Sequence, residues 1–525
     1  MSEAGSGVQA GAGAAARPRD GASDDRFALT PAQLDRLGAR LRAAVVRARR
    51  SGERTLATIS VALPADVDPT AVACASRRPQ EPWFAFEQPD RGRAALAGLG
   101  EAIALQDSGL ERFERVAARW RALSAAAVGD GHGGEDRAGE RGAPEAPGAG
   151  PIALGGFAFA PDGGAAPHWV GFEPASLVVP EVVLARRQGH ARERAGGVAA
   201  GASVGGEPAV RMTLTALAAP DDLPEELLAR LLARVRELRE RTLPLLDPAP
   251  AGRFQVASAM PPEHFESAVA RACEMIGAGE MEKIVLAREV QVHAPQAYDA
   301  AAVLGVLREE FPSCFVFCVG RGEAALVAAS PELLVRREGH RVSTLALAGS
   351  TRRSADPAVD DHLGEQLLRD QSYREEHAIV ARGIERMLRP HSVWVAAAPE
   401  PTLVRIANIQ HLATPIRAQL ANPIDALGLV ASMHPTPAVG GEPLARAAPL
   451  IPALEGLDRG WYSGPVGWTD ATGDGEFCVA LRCALLRGSV ARCYAGNGIV
   501  RDSDPAAELA ETEVKLQALL PLLTA

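Results

Sequence analysis

Apolar residues recur along this chain with two periods, and the two predict different elements. In PAQLDRLGARLRAAVVRARR, residues 31–50, leucine, alanine and valine return every three or four positions, the spacing of one helical face. Thr30 in front and Pro31 at the first position supply the start signals of a helix. DDLPEELLARLLARVRELRER, residues 221–241, has the same period and is strongly amphipathic. The arginines of both segments read as solvated faces. Further helices are predicted over 262–278, 359–389 and 505–523.

The other pattern is the short apolar run rich in valine, phenylalanine and alanine, which predicts strands. IALGGFAFAP (152–161) and SLVVPEVVLARR (176–187) carry it in the first half. In the second half it recurs in RFQVAS (253–258), KIVLAREVQV (283–292), CFVFCV (314–319) and ALVAAS (325–330). RVSTLAL (341–347), VWVAAA (393–398), FCVALRCALLR (477–487) and VARCYAG (490–496) continue the series. So many strands are too numerous for a doubly wound sheet. The pattern predicts a large mixed α/β sandwich, to which both halves of the chain contribute strands.

Two stretches break the pattern. VGDGHGGEDRAGERGAPEAPGAG (128–150) and RRQGHARERAGGVAAGASVGGE (186–207) are rich in glycine and charge, lack periodicity and read as surface insertions. Residues 1–25, rich in Gly, Ala and Ser, are predicted to be disordered. The chain thus divides into that terminus, an N-terminal part of the fold over 26–252, and a region 253–525 in which the chemistry concentrates.

Composition narrows the function classes. A net charge of −10 and a pI near 5.7 argue against nucleic acid as a partner, because phosphate contact needs a basic face. The seven cysteines form no CxxC pair, which predicts small core residues in a reducing compartment and no structural zinc. The N-terminus lacks the apolar core of a signal peptide, and no apolar stretch reaches membrane-spanning length. The expectation is a cytoplasmic protein with no membrane partner.

Within 253–525, cations, carboxylates and glycines gather in four places. KIVLAR puts Lys283 at the head of an apolar strand, with Val285 and Ala287 on its face. Taken alone, such a lysine would snorkel to water. ASPELLVRR makes Glu332 either a turn residue in water or the first residue of a strand. In REEHAIVARGIERML, Glu376 stands three and four residues before Ile379 and Val380, beside a buried helical stripe. Glu508, Glu511 and Lys515 share a helical face just after the glycine-bracketed YAGNGIV. Arg482 interrupts an apolar strand, where a guanidinium calls for an anionic partner.

KIVLAR, SPELLVR, LAGSTR, REEHAIV, HPTPAVGGEP, DGEFCVALRCALL, YAGNGIV and ELAETEVK follow one another in the order seen in chorismate-utilising enzymes. The segment thus resembles isochorismate, salicylate, anthranilate and aminodeoxychorismate synthases, densely over 253–525, with GGFAF…SLVVPEVVL similar to the family's N-terminal portion. The resemblance implies a large mixed α/β domain with a central β-sandwich surrounded by helices, an active-site cleft, and one Mg²⁺ that bridges enzyme carboxylates and the substrate's ring carboxylate. It implies Lys283 as general base and Glu332 as general acid, Glu376 and Glu511 as metal ligands, and Glu508 close by through water. Arg482 and Lys515 match carboxylate-binding cations; Gly349 and Gly496 match backbone contacts; His434, Ala438, Val439 and Tyr462 complete the substrate-binding set. On this reading Lys283 loses its proton readily because of burial and neighbouring cations. Water then attacks ring carbon 2 as Glu332 protonates the departing 4-hydroxyl.

The lysine in EKIVLAR counts against anthranilate synthase, and Ala438 stands where the amine- and salicylate-forming members tend to carry threonine. The expected activity is therefore isochorismate synthase, an isomerase acting as a monomer on chorismate with no glutaminase subunit. The rival within the family is a salicylate synthase with added pyruvate-lyase activity; the more remote rival is a non-catalytic chorismate-binding protein. Ser372-Tyr373 and Asn497 depart from the family pattern. Whether the product feeds menaquinone, siderophore or salicylate synthesis is left open by the residues.

Overall fold

A computed structural model describes residues 25–129, 150–186, 210–247, 250–406 and 408–524. The N-terminal stretch and almost all of the two expected insertions lie outside the described residues. Within the described residues the predicted helices form, several of them with side-chain caps. Helix Pro31–Ser51 opens on a capping box, in which Thr30 Oγ1 accepts from Gln33 N while Gln33 Oε1 accepts from Thr30 N. It closes on Gly52 at φ 75°.

Among the described residues the strands assemble into two large sheets, one of twelve strands and one of ten, whose neighbouring strands pair antiparallel. Each sheet takes strands from both halves of the chain. In the twelve-stranded sheet, Trp83–Gln88 lies beside Phe315–Arg321; in the other, Ile152–Phe157 lies beside Pro465–Asp470. The sheets face each other across a core of Phe84, Phe86, Phe317 and Leu485 from the first and Leu154, Val466 and Cys478 from the second. Helices Pro31–Ser51, Pro224–Arg236 and Ala300–Glu310 bury their apolar stripes against the outer face of the twelve-stranded sheet. The architecture is the mixed α/β sandwich that the strand count predicts. No helix among the described residues is long and apolar enough to cross a membrane. All seven cysteines are free, five of them buried.

The stretch 477–487 corrects one expectation. It is not one strand with an arginine in the middle: Gly475–Val479 belongs to the ten-stranded sheet and Cys483–Arg487 to the twelve-stranded one. Ala480, Leu481 and Arg482 carry the chain across the gap, and Arg482 takes φ 48° to turn it. A second crossing runs alongside. Ala324–Ser330 pairs in the twelve-stranded sheet, Leu333–Glu338 in the other, and Pro331-Glu332 join them. The two crossings are laced together, Val479 N to Glu332 O at 3.0 Å and Ala329 N to Arg482 O at 3.1 Å. Apolar periodicity is blind to such a jump, because both sheets bury the flanking residues.

The predicted helix 359–389 is likewise two helices, Pro357–Arg369 and Gln371–Leu388. Asp370 leaves the helical conformation and caps the second, accepting from Ser372 N at 2.9 Å and Tyr373 N at 3.2 Å. The predicted helix 505–523 divides in the same way, into Pro505–Leu516 and Leu520–Thr524.

Candidate active site

A cavity of about 170 Å³ opens where the strands Lys283–His293 and Val490–Ile499 meet the two crossings and the helices Gln371–Leu388 and Pro505–Leu516. It is lined by Lys283, Glu332, Gly349, Glu376, Ala438, Val439, Tyr462, Arg482, Gly496, Glu508, Glu511 and Lys515. Residues up to 232 positions apart in the chain thus converge on one space.

Lys283 is 1% exposed, which rules out the snorkelling alternative. Its Nζ lies 2.9 Å from Glu376 Oε1. Arg482 and Lys515 share its cavity, but its direct ion-pair partner is a carboxylate, brought in by a helix 93 residues away. His377, next along that helix, anchors it to the ten-stranded sheet through Ala348 O and Thr414 Oγ1. Backbone clearance for the pair comes from Gly498, since a Cβ there would stand 2.4 Å from both Glu376 Oε1 and Lys283 Cε.

Glu332 is 3% exposed and sits on its crossing rather than in a strand. Burial pushes its carboxyl up to about 8, although Lys283 and Arg482 pull the other way. It is therefore largely protonated at neutral pH, as a hydrogen donor must be. Arg482, on the adjoining crossing, donates from Nη2 to His411 Nε2 at 3.2 Å. Burial, reinforced by Arg482 and Lys515, holds His411 well below its usual value, so its neutral ring accepts that hydrogen bond. Sequence reasoning missed His411. The sequence offered little signal, since His411 is one of several polar residues in the strand Ile409–Leu420 and its place opposite Ser350 follows from the register of the folded sheet.

Carboxylates crowd the other wall. Glu511 accepts from Ser350 Oγ and pairs with Lys515 Nζ at 2.8 Å. Burial works against its charge, but Lys515, Ser350 and Arg482 hold it below the ordinary carboxylate range. Glu508 is pushed up to about 7 by burial and by Glu511. Burial and then the charges of Glu511 and Glu508 raise the Tyr373 phenol to about 12. Among the described residues, no group of three or more His, Cys, Asp or Glu is gathered tightly enough to hold a metal by itself. The donor chemistry nevertheless suits Mg²⁺, which takes hard oxygen ligands, keeps waters and usually needs only one or two protein carboxylates. The like charges of Glu508 and Glu511 are also what a divalent cation would relieve.

Two expected contacts differ. His434 does not reach the cavity: it packs edge-on to Phe159 and beside Phe113, bonded to Phe159 O at 3.1 Å, and burial depresses it to about 3. Its neighbours Ala438 and Val439 do line the wall. Lys515 commits its ammonium to Gly496 O, Asn497 Oδ1 and Glu511 Oε1, so all three of its donors are already used. Beneath Val285 and Val439 lies a buried pair that the sequence did not announce. Glu455 and Arg459 are joined at 2.5 Å, and Arg459 donates to Val285 O and Val439 O at 2.9 Å each. A larger cavity, about 270 Å³, lies farther along the strand Lys283–His293, but its charged side chains are already engaged, Glu289 with Arg492, Arg288 with Glu513 and Glu455 with Arg459.

Comparisons with known proteins place the chain in a family. A family model described as chorismate binding enzyme matches residues 41–524. The salicylate biosynthesis isochorismate synthase of Pseudomonas aeruginosa is 36% identical over 459 residues, which is 87% of this chain and 88% of that protein. Isochorismate synthase EntC of Escherichia coli is 38% identical over 257 residues, 49% of this chain and 66% of that protein. The solved structure of MenF, the menaquinone-specific isochorismate synthase from Escherichia coli, aligns with a TM-score of 0.68 over 92% of this chain and 99% of that one. At 24% identity that likeness speaks to the fold alone. With the family model spanning nearly the whole described chain, and a relative of matching length, this protein belongs to the family of chorismate-binding enzymes.

Proposed function

We propose that the protein is an isochorismate synthase, converting chorismate to isochorismate with Mg²⁺. The observation that carries this reading is the pairing, in one cavity, of a buried lysine with a buried carboxyl raised to about 8. An isomerisation that adds water at one ring carbon and expels hydroxide from another needs a base and an acid together.

In the proposed reaction, Lys283 takes a proton from water as the water oxygen bonds to C2 of the ring. The double bonds shift, the C4–O bond breaks, and Glu332 gives its proton to the departing hydroxyl. One water is consumed and one released, so the product is an isomer of the substrate; Lys283 then gives up the proton it took and Glu332 regains the one it lost, both by exchange with solvent. Arg482, oriented by His411, faces a substrate carboxylate. Glu376 and Glu511 would hold Mg²⁺, with Glu508 near it; bound there, the ion supplies positive charge for the ring carboxylate. The same Glu376 carboxylate lies 2.9 Å from Lys283 Nζ, so the ligand it would offer the ion also positions the base.

Incubation with chorismate, with Mg²⁺ or with EDTA, tests this reading. Chromatography should find isochorismate with Mg²⁺ and unchanged chorismate with EDTA. Equal turnover in EDTA removes the metal from the account, and no turnover under either condition favours a binding protein.

A further inference from the structure

Asn497, in the strand Val490–Ile499, is 2% exposed and uses both ends of its side-chain amide inside the cavity wall. Its Nδ2 donates to Glu508 O at 2.7 Å and to Glu508 Oε2 at 2.8 Å. Its Oδ1 accepts from Lys515 Nζ at 2.7 Å. One neutral group therefore stands between a carboxylate and an ammonium. Asn497 is well suited to this: an amide can donate to one partner and accept from the other, whereas a carboxylate only accepts and an apolar side chain does neither.

The arrangement has an electrostatic consequence. Lys515 already pairs with Glu511 at 2.8 Å. Glu508 and Lys515 touch the same small amide, so without it they are near enough to attract one another strongly in a poorly hydrated site. A lysine shared between two carboxylates competes with any cation that needs them. Neither Gly496 nor Gly498, the residues on either side, has a side chain that could keep the two apart.

We propose that Asn497 is a positioning residue for the divalent cation: it holds Glu508 out of an ion pair with Lys515, confines Lys515 to Glu511, and keeps the Glu508 carboxylate available to the metal. This rests on the reading of the site as Mg²⁺-dependent.

Calorimetric titration of the full chain with Mg²⁺, without substrate, tests it in a double-mutant cycle. Asn497→Ala should weaken Mg²⁺ binding about 10-fold or more, the usual scale for losing a group that orients a metal ligand. In a Lys515→Met background the same substitution should have little effect, because the competing ammonium is gone. KM for chorismate at saturating Mg²⁺ should move far less than the Mg²⁺ affinity. Asn497→Leu, similar in volume, is read in parallel, so that one variant lost to misfolding leaves the other to decide. An unchanged Mg²⁺ affinity, or an equal loss in both backgrounds, overturns the role given to Asn497. Absence of Mg²⁺ binding by the wild type overturns the metal reading on which it rests.

Discussion

At the scale of single residues, the account rests on Lys283 and Glu332. Lys283→Ala should lower kcat by about 100- to 10,000-fold, the range for losing a general base, while chorismate binding measured by calorimetry largely persists. Activity near that of wild type would return Lys283 to a packing role. Glu332 sets a pH dependence. Its proton is held below about 8 and lost above it, so kcat/KM should fall as pH rises through that value. A profile flat from pH 6 to 10 would contradict the acid role. Both residues were legible in the sequence because each stands in a distinctive short motif, KIVLAR or SPELLVR. His411 was not legible, since its function depends on lying beside Arg482, 71 positions away. His434 misled for the opposite reason: its motif lines the cavity, but its own side chain turns away into a cage of Phe113 and Phe159.

At the scale of elements, the site is made by places where regular structure stops. Glu332 and Arg482 ride on two neighbouring crossings between the sheets, and Tyr373 and Glu376 follow the helix break at Asp370. Hydrophobic periodicity predicted the strands and helices around these places and stopped at Pro331, but ran straight through residues 480–482 and Asp370. At 480–482 the residues on both sides of the crossing are buried, so the apolar run shows no break. Gly498 marks a tight contact between elements at the site. Gly498→Ala should displace the Lys283–Glu376 pair, because the new methyl would stand 2.4 Å from both. Overpacking of this kind costs about 1–3 kcal/mol, so denaturant unfolding should register a modest loss of stability. The loss of turnover should be much larger than that destabilisation explains. Full activity in a folded variant would mean that the pair need not keep this position.

At the scale of the whole molecule, a protein of net charge −10 is read as acting on a dianion, and it does so by local means. Two sheets fused from both halves of the chain build one enclosed space, into which Arg482, Lys283 and Lys515 project their charge among carboxylates. That sandwich was legible in outline from the number of apolar runs. The order of its strands was not, because antiparallel partners such as Trp83–Gln88 and Phe315–Arg321 are separated by more than 200 positions. If Glu511 holds the metal directly and Glu508 lies outside it, Glu511→Gln should raise the Mg²⁺ concentration needed for half-maximal activity more than Glu508→Gln does. Equal effects would make the two carboxylates equivalent. The central claim, that Lys283 directs solvent water onto the ring as Glu332 expels the original hydroxyl, is tested most directly by turnover in water enriched in oxygen-18. Isochorismate isolated early in the reaction should carry one labelled oxygen, in the hydroxyl at C2; unlabelled isochorismate, or salicylate and pyruvate as the main early products, would contradict it.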